Sequence, residues 1–269
     1  DIYLNDFEFN IQFFDIKNFS YVRDFGYELF SYICFNLGIG IYGLNFILSI
    51  LFIYSLNKFA NLFKDNYWLI ILISFPYLIV VVSMGYTRQA TAFSLVLLSI
   101  CSLSNNKLYS FMFYAFIAIL FHKSSIIMIP LIFITHLKLN YINILLFIIF
   151  AIFSGLIIYP EFARISSGYL SEQSKYISKG VYYRIFLNIL AGILFLIFYK
   201  YLKFNKKIDR LIILIFFINL LLLFIIQDFS TLVDRIIIYF TFIQLIVFSR
   251  LYLIKKNYKI FFNLFVISI

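Results

Sequence analysis

"NYWLIILISFPYLIVVVSMGYTRQATAFSLVLLSICSL", residues 66–103, carries a single charged side chain, Arg88. The apolar runs on either side of it, 66–87 and 89–106, are each about as long as the ~20 residues a helix needs to cross a bilayer core. They are continuously apolar rather than alternating every second residue, which selects helices over the strands of a barrel. Uncharged stretches at 29–57, 139–160 and 211–227 repeat the pattern. Shorter ones at 108–122, 124–137, 185–199 and 236–249 suffice if flanking Tyr, Lys and Arg side chains lie in the interface. The expectation is nine complete helices and a tenth begun in "IFFNLFVISI", 260–269.

The fold class expected is therefore all-α, a polytopic membrane helix bundle of about ten helices forming a single transmembrane domain over 1–269. Composition agrees. Hydrophobic residues make up 64% of the chain and charged residues 13%, at a mean hydropathy of +1.00. Soluble domains are about half apolar and a quarter charged, so there is too little polar surface here to cover a globule in water. The chain lacks a starting Met and stops inside an apolar run, so it is expected to be a fragment lacking terminal helices.

If residue 1 lies outside and each span crosses once, one side holds thirteen basic and two acidic residues. The other holds nine basic and ten acidic ones. The positive-inside rule assigns the first side to the cytoplasm. The net charge of +10 then reports topology, not nucleic-acid binding. Outer loops fall at 1–28, 161–184 and 228–235, and the inner connections are too short for a soluble catalytic domain. Gly38, Gly40 and Gly43 could split the long 29–57 run into an interfacial helix and a crossing from about Ile41. Cys34 and Cys101 are expected near opposite faces of the membrane, out of disulfide reach, as packing residues.

Five arginines face the side where positive charge is disfavoured: Arg23, Arg88, Arg164, Arg184 and Arg235. Three of them, Arg88, Arg184 and Arg235, open spans that run inward. Snorkelling to headgroups explains any single one. Three at helix mouths suit a clamp on a lipid diphosphate, because guanidinium forks match phosphate oxygens and helix N-termini are positive. His122, Lys123 and Ser124 make a tight outer turn, and a neutral imidazole of pKa near 6.5 can accept a hydroxyl proton. Its plainer reading is structural, as for His136 on the inner side. Asp24 and Glu28 are candidates for bases or for salt-bridge partners of the arginines. Asp6 and Glu8 are spaced to ligate a divalent metal but read better as a solvated loop. No P-loop, zinc-type cysteine pair, nucleophile elbow or dinucleotide fingerprint occurs.

The stretch "GYTRQATAFSLVLLSICSLSNNKLYSFMFYAFIAILFHKSSIIMIPLIF", 85–133, resembles the core of EpsG-like, Wzy-type polysaccharide polymerases. The resembling residues are Arg88, Gln89 and Ala92, then Phe121, His122 and Ser124. "DFGYELFSYI" at 24–33, "YYRIFLNIL" at 182–190 and "DRIIIYFTFIQLIVFSR" at 234–250 follow the family's order, and most of 20–250 is covered. The resemblance implies a glycosyltransferase of the bacterial cytoplasmic membrane, with a bundle like that of membrane-embedded GT-C enzymes. It would join oligosaccharide repeat units carried on undecaprenyl diphosphate at the outer face, for O-antigen, capsule or exopolysaccharide. Arg88, Gln89, Arg184 and Arg235 would bind the diphosphate, and His122, or else Asp24 or Glu28, would take the acceptor proton. No cofactor or metal is expected, since arginines can supply the electrostatics. Expected partners are the lipid-linked oligosaccharide and membrane lipids, with a chain-length regulator and a flippase nearby. The rival readings are a flippase or transporter of the same lipid-linked sugars, a membrane acyltransferase, and a structural subunit.

Overall fold

The structure is a computed structural model, and it describes residues 24–130, 141, 145, 152, 178, 180–202 and 204–254. Every element among these residues is helical, and no strand occurs among them. Most of the expected spans 124–137 and 139–160, and all of 260–269, lie outside the described residues. So do Asp6, Glu8, Arg23, His136 and Arg164. The described chain divides into two compact units, one within 1–62 and 74–126, the other within 63–73 and 127–269.

In the first unit the 29–57 run does break at its glycines. Helix α1 (Phe25–Asn36) ends, and α2 (Gly40–Ala60) begins, across Gly38 at φ +71° and Gly40 at φ +59°. Those left-handed values penalise any residue with a Cβ, so the break falls where glycine permits it. Gly43 stays inside α2. Beyond Ala60 the chain remains helical in changing forms, a 3₁₀ stretch (Asn61–Asn66), α3 (Tyr67–Ser74) and a π-helical stretch (Phe75–Ser83), of which 63–73 belong to the second unit. Within the 3₁₀ stretch Phe63 leaves helical dihedrals, at φ −118° and ψ 56°. Pro76 opens the π stretch, in keeping with its missing N–H.

Helix α4 (Thr87–Ser104) is the centre of this unit. All residues from Gln89 to Leu103 are buried, although the helix is rich in Ser and Thr. Those hydroxyls turn onto their own helix: Thr91 donates to the Thr87 carbonyl, Ser94 to Thr91, Ser99 to Val96 and Ser102 to Leu98. Satisfied in this way, and small, they let α2 and α5 (Leu108–Phe121) pack closely on it. Cys34 and Cys101 are both free and buried.

The second unit is built on α6 (Val181–Leu202), which packs on α7 (Lys206–Ile225), α8 (Ser230–Phe240) and α9 (Phe242–Phe248). A Cβ at Gly192 would overlap the Phe216 ring, so glycine sets the close approach of α6 to α7. Helices α8 and α9 form one apolar path bent by 44° at Thr241. At the far end Arg250 donates to the Leu202 carbonyl (2.7 Å) and lies 4.3 Å from the centre of the Phe204 ring. By length and composition three helical runs can cross a membrane, Gly40–Ser83, Val181–Leu202 and Lys206–Ile225, and the bent pair makes a fourth.

Candidate functional site

Arg88 stands in the first turn of α4. Its guanidinium lies 3.7 Å from the Asp24 carboxylate and 4.6 Å above the Tyr27 ring. The Arg88 side chain retains 27% exposure and that of Asp24 12%, so the pair sits at a boundary rather than in the core. Tyr86 caps the helix without a side-chain bond to its first N–H groups. The positive end of α4 and the guanidinium therefore share one place, an arrangement that attracts an anion.

The turn after α5 comes to the same end. Helices α4 and α5 run antiparallel through the short connection at Asn105–Lys107, so the start of α4 and the close of α5 are neighbours. Gly26 of α1 supplies a second constraint: a Cβ there would lie 3.0 Å from Phe121 and 3.1 Å from the Leu120 carbonyl. Glycine at this position lets the first turn of α1, with Asp24, Tyr27 and the buried Glu28, close onto the end of α5. His122 ends that helix in extended conformation, and its Nδ1 is 2.6 Å from the Ser124 hydroxyl. An imidazole that donates from Nδ1 to Ser124 presents Nε2 as the proton acceptor. Asp24, Glu28, Arg88 and His122 are thus gathered at one end of one unit.

Arg184 and Arg235 belong to the second unit. Arg184, one turn into α6, is ion-paired with Asp234 of α8. The Ser178 hydroxyl donates to the other Asp234 oxygen at 2.9 Å, and the Ser178 N–H donates to Ser230 at 3.3 Å. Gly180 leaves room for the Arg184 head, which would lie 3.4 Å from a Cβ there. Arg235 is half-buried beside this pair in sequence. The reading of the sequence missed Asp234 as the holder of Arg184; its only signal was an acid preceding Arg235 at the opening of an apolar run. It also missed three buried amides. Gln244 donates to Asn188 at 2.7 Å, Asn188 reaches toward Asn219 at 3.4 Å, and Asn219 donates to the Ile215 carbonyl at 2.8 Å. Each stands alone in an apolar run, and only the fold shows that they meet.

Among the described residues every element is helical, and apolar helices of membrane-crossing length, with Arg88 and Arg184 in the first turns of theirs, are those of a membrane protein. The EpsG family, of Wzy-like polysaccharide polymerase-type proteins, matches over residues 2–269, and this chain belongs to that family. Comparison with curated proteins and with solved structures returns no match. Membership ties the chain to polysaccharide biosynthesis.

Proposed function

We propose that the protein is a polysaccharide polymerase that joins repeat units carried on undecaprenyl diphosphate, working at the outer face of the cytoplasmic membrane. The observation that carries this reading is the gathering of Arg88, Asp24, Tyr27 and His122 at one helix-terminal end of the first unit. An anion site formed by a guanidinium and a helix N-terminus suits a diphosphate, and an imidazole nearby suits an acceptor hydroxyl. In this scheme Arg88 holds the diphosphate of the donor chain. The acceptor hydroxyl oxygen attacks the donor's anomeric carbon, its proton passes to His122, and the C–O bond to the diphosphate breaks. The diphosphate departs with the electron pair, and Arg88 with the N-terminus of α4 stabilises the charge it gathers. Asp24 positions Arg88, and Glu28 supports the same turn.

Passage of lipid-linked sugars across the bilayer is the second reading, favoured by the buried Asn188, Asn219 and Gln244 within spanning helices. These amides bond to one another, however, which suits a tie between helices better than the lining of a path. The test is purified protein in vesicles supplied only with lipid-linked repeat units. Longer saccharides on a gel support the polymerase; intact units moved across the bilayer without extension support the flippase.

A further inference from the structure

At the end of the second unit away from the Arg184–Asp234 pair, the chain turns from α6 into α7 through a strongly basic stretch. Lys200 near the close of α6, and Lys206, Lys207 and Arg210 in the opening turns of α7, bring four positive charges. Asp209 is the one acid between residues 199 and 210, and it is buried. The scheme above uses none of these groups.

The fold turns the acid inward and gathers the basic groups. The Tyr199 hydroxyl donates to the Asp209 carboxylate at 3.3 Å, which sets the last turns of α6 level with the first turns of α7. Lys200 follows Tyr199 and Arg210 follows Asp209, so their charges sit at one level of the helix pair. Lys206 lies one turn before Arg210 on the same face of α7. Lys200, Lys206 and Arg210 are exposed, and Lys207 is partly so. None of the four is needed as a helix cap: Asn205 accepts from the N–H groups of Lys207 and Ile208, and Arg250 donates to the Leu202 carbonyl. Lys64 and Asp65, brought to this end by the 5.6 Å contact of Phe63 with Arg250, are both exposed and opposite in charge. Tyr199 and Tyr201 are exposed at the same level, as aromatic side chains are where membrane proteins meet headgroups.

We propose that this patch is a docking surface for the headgroup of an anionic phospholipid, a role separate from the transfer reaction. Both helices are long and apolar enough to cross a membrane, so their joined end falls at a headgroup layer. On the positive-inside reading of the sequence it is the cytoplasmic one. Basic side chains just beyond a spanning helix attract anionic lipid charge by charge, and salt screens the attraction over about 8 Å at physiological strength. A phosphodiester with no cation of its own, as in phosphatidylglycerol, matches the patch. The quaternary amine of phosphatidylcholine opposes it. The exposed tyrosines and the place at the membrane surface favour a lipid over a soluble anion.

The experiment titrates the purified full chain, in neutral detergent, with phosphatidylglycerol or phosphatidylcholine of the same acyl chains, and reads bound lipid by native mass spectrometry. Wild type is expected to bind the first phosphatidylglycerol about thirtyfold more tightly than phosphatidylcholine, a preference that falls as salt is raised. Lys206→Gln with Arg210→Gln should cut the preference to about threefold. Neither side chain makes a hydrogen bond or ion pair among the described residues, so the fold does not depend on them. Lys58→Gln with Lys107→Gln removes two exposed lysines from the first unit instead, and should leave the preference near its wild-type value. A preference that survives in the Lys206 and Arg210 variant, or that is lost equally in both variants, overturns the proposal, because the attraction is then to net charge and not to this patch. Equal wild-type binding of the two lipids overturns it too. So does displacement of phosphatidylglycerol by inorganic phosphate beyond that caused by chloride of the same ionic strength, since the patch then serves a soluble anion.

Discussion

Arg88 and Asp24 face each other at 3.7 Å across the openings of α4 and α1, with Tyr27 beneath the guanidinium. The carboxylate holds a cation where an anionic substrate would dock, so the pair sets the guanidinium's place before substrate arrives.

If Asp24 acts only by holding Arg88, the two residues form one unit. Asp24→Asn should slow chain extension less than Arg88→Lys, and the double variant should be no slower than Arg88→Lys alone. Initial rates of extension in vesicles decide this. An additional loss in the double variant would give Asp24 a role of its own, as the proton acceptor.

His122→Ala should lower the rate of transfer by about a hundredfold, in the range of general-base catalysis. Affinity for the lipid-linked donor should change little. Ser124→Ala, which removes the partner 2.6 Å from Nδ1, should give a smaller loss in the same direction. An unchanged transfer rate in His122→Ala would hand the proton to another group.

Arg184 and Asp234 form an enclosed pair, their side chains 14% and 10% exposed. Removing one partner of such a pair costs about 3–5 kcal/mol, because the other charge stays buried. Asp234→Ala should therefore lower the melting temperature markedly. Arg184→Ala with Asp234→Ala should be less destabilised than the two single losses combined, by about 1–3 kcal/mol. Strict additivity in thermal or denaturant unfolding would show that the pair is not coupled.

Gly26 and Gly192 are both required by close approach. Gly26→Ala would press a methyl onto Phe121 and the Leu120 backbone, at a cost of about 1–3 kcal/mol. It should disturb the His122 turn and slow extension. Gly192→Ala would strike the Phe216 ring, and Phe216→Ala should recover part of the lost stability. Unfolding of the three variants and the double variant reads both effects.

The helical class and the break at Gly38 and Gly40 were legible because apolar run length and left-handed glycine turns are local properties. The mouth position of Arg88 was legible for the same reason, as one charge interrupting a long apolar run. Its partner was not: Asp24 and Glu28 were equal candidates until the fold placed Asp24 at the guanidinium. The Arg184–Asp234 pair joins residues fifty apart, and the Asn188, Asn219 and Gln244 contacts join three separate helices, so no window of sequence contains them.

The most direct measurement of the central claim is the product ladder made in vesicles by wild type and Arg88→Lys at matched protein levels. Lysine keeps the charge but loses the fork that grips two phosphate oxygens. Wild type should yield a ladder of lengthened saccharides, and Arg88→Lys little beyond the single repeat unit. A wild-type ladder from Arg88→Lys would contradict the diphosphate clamp.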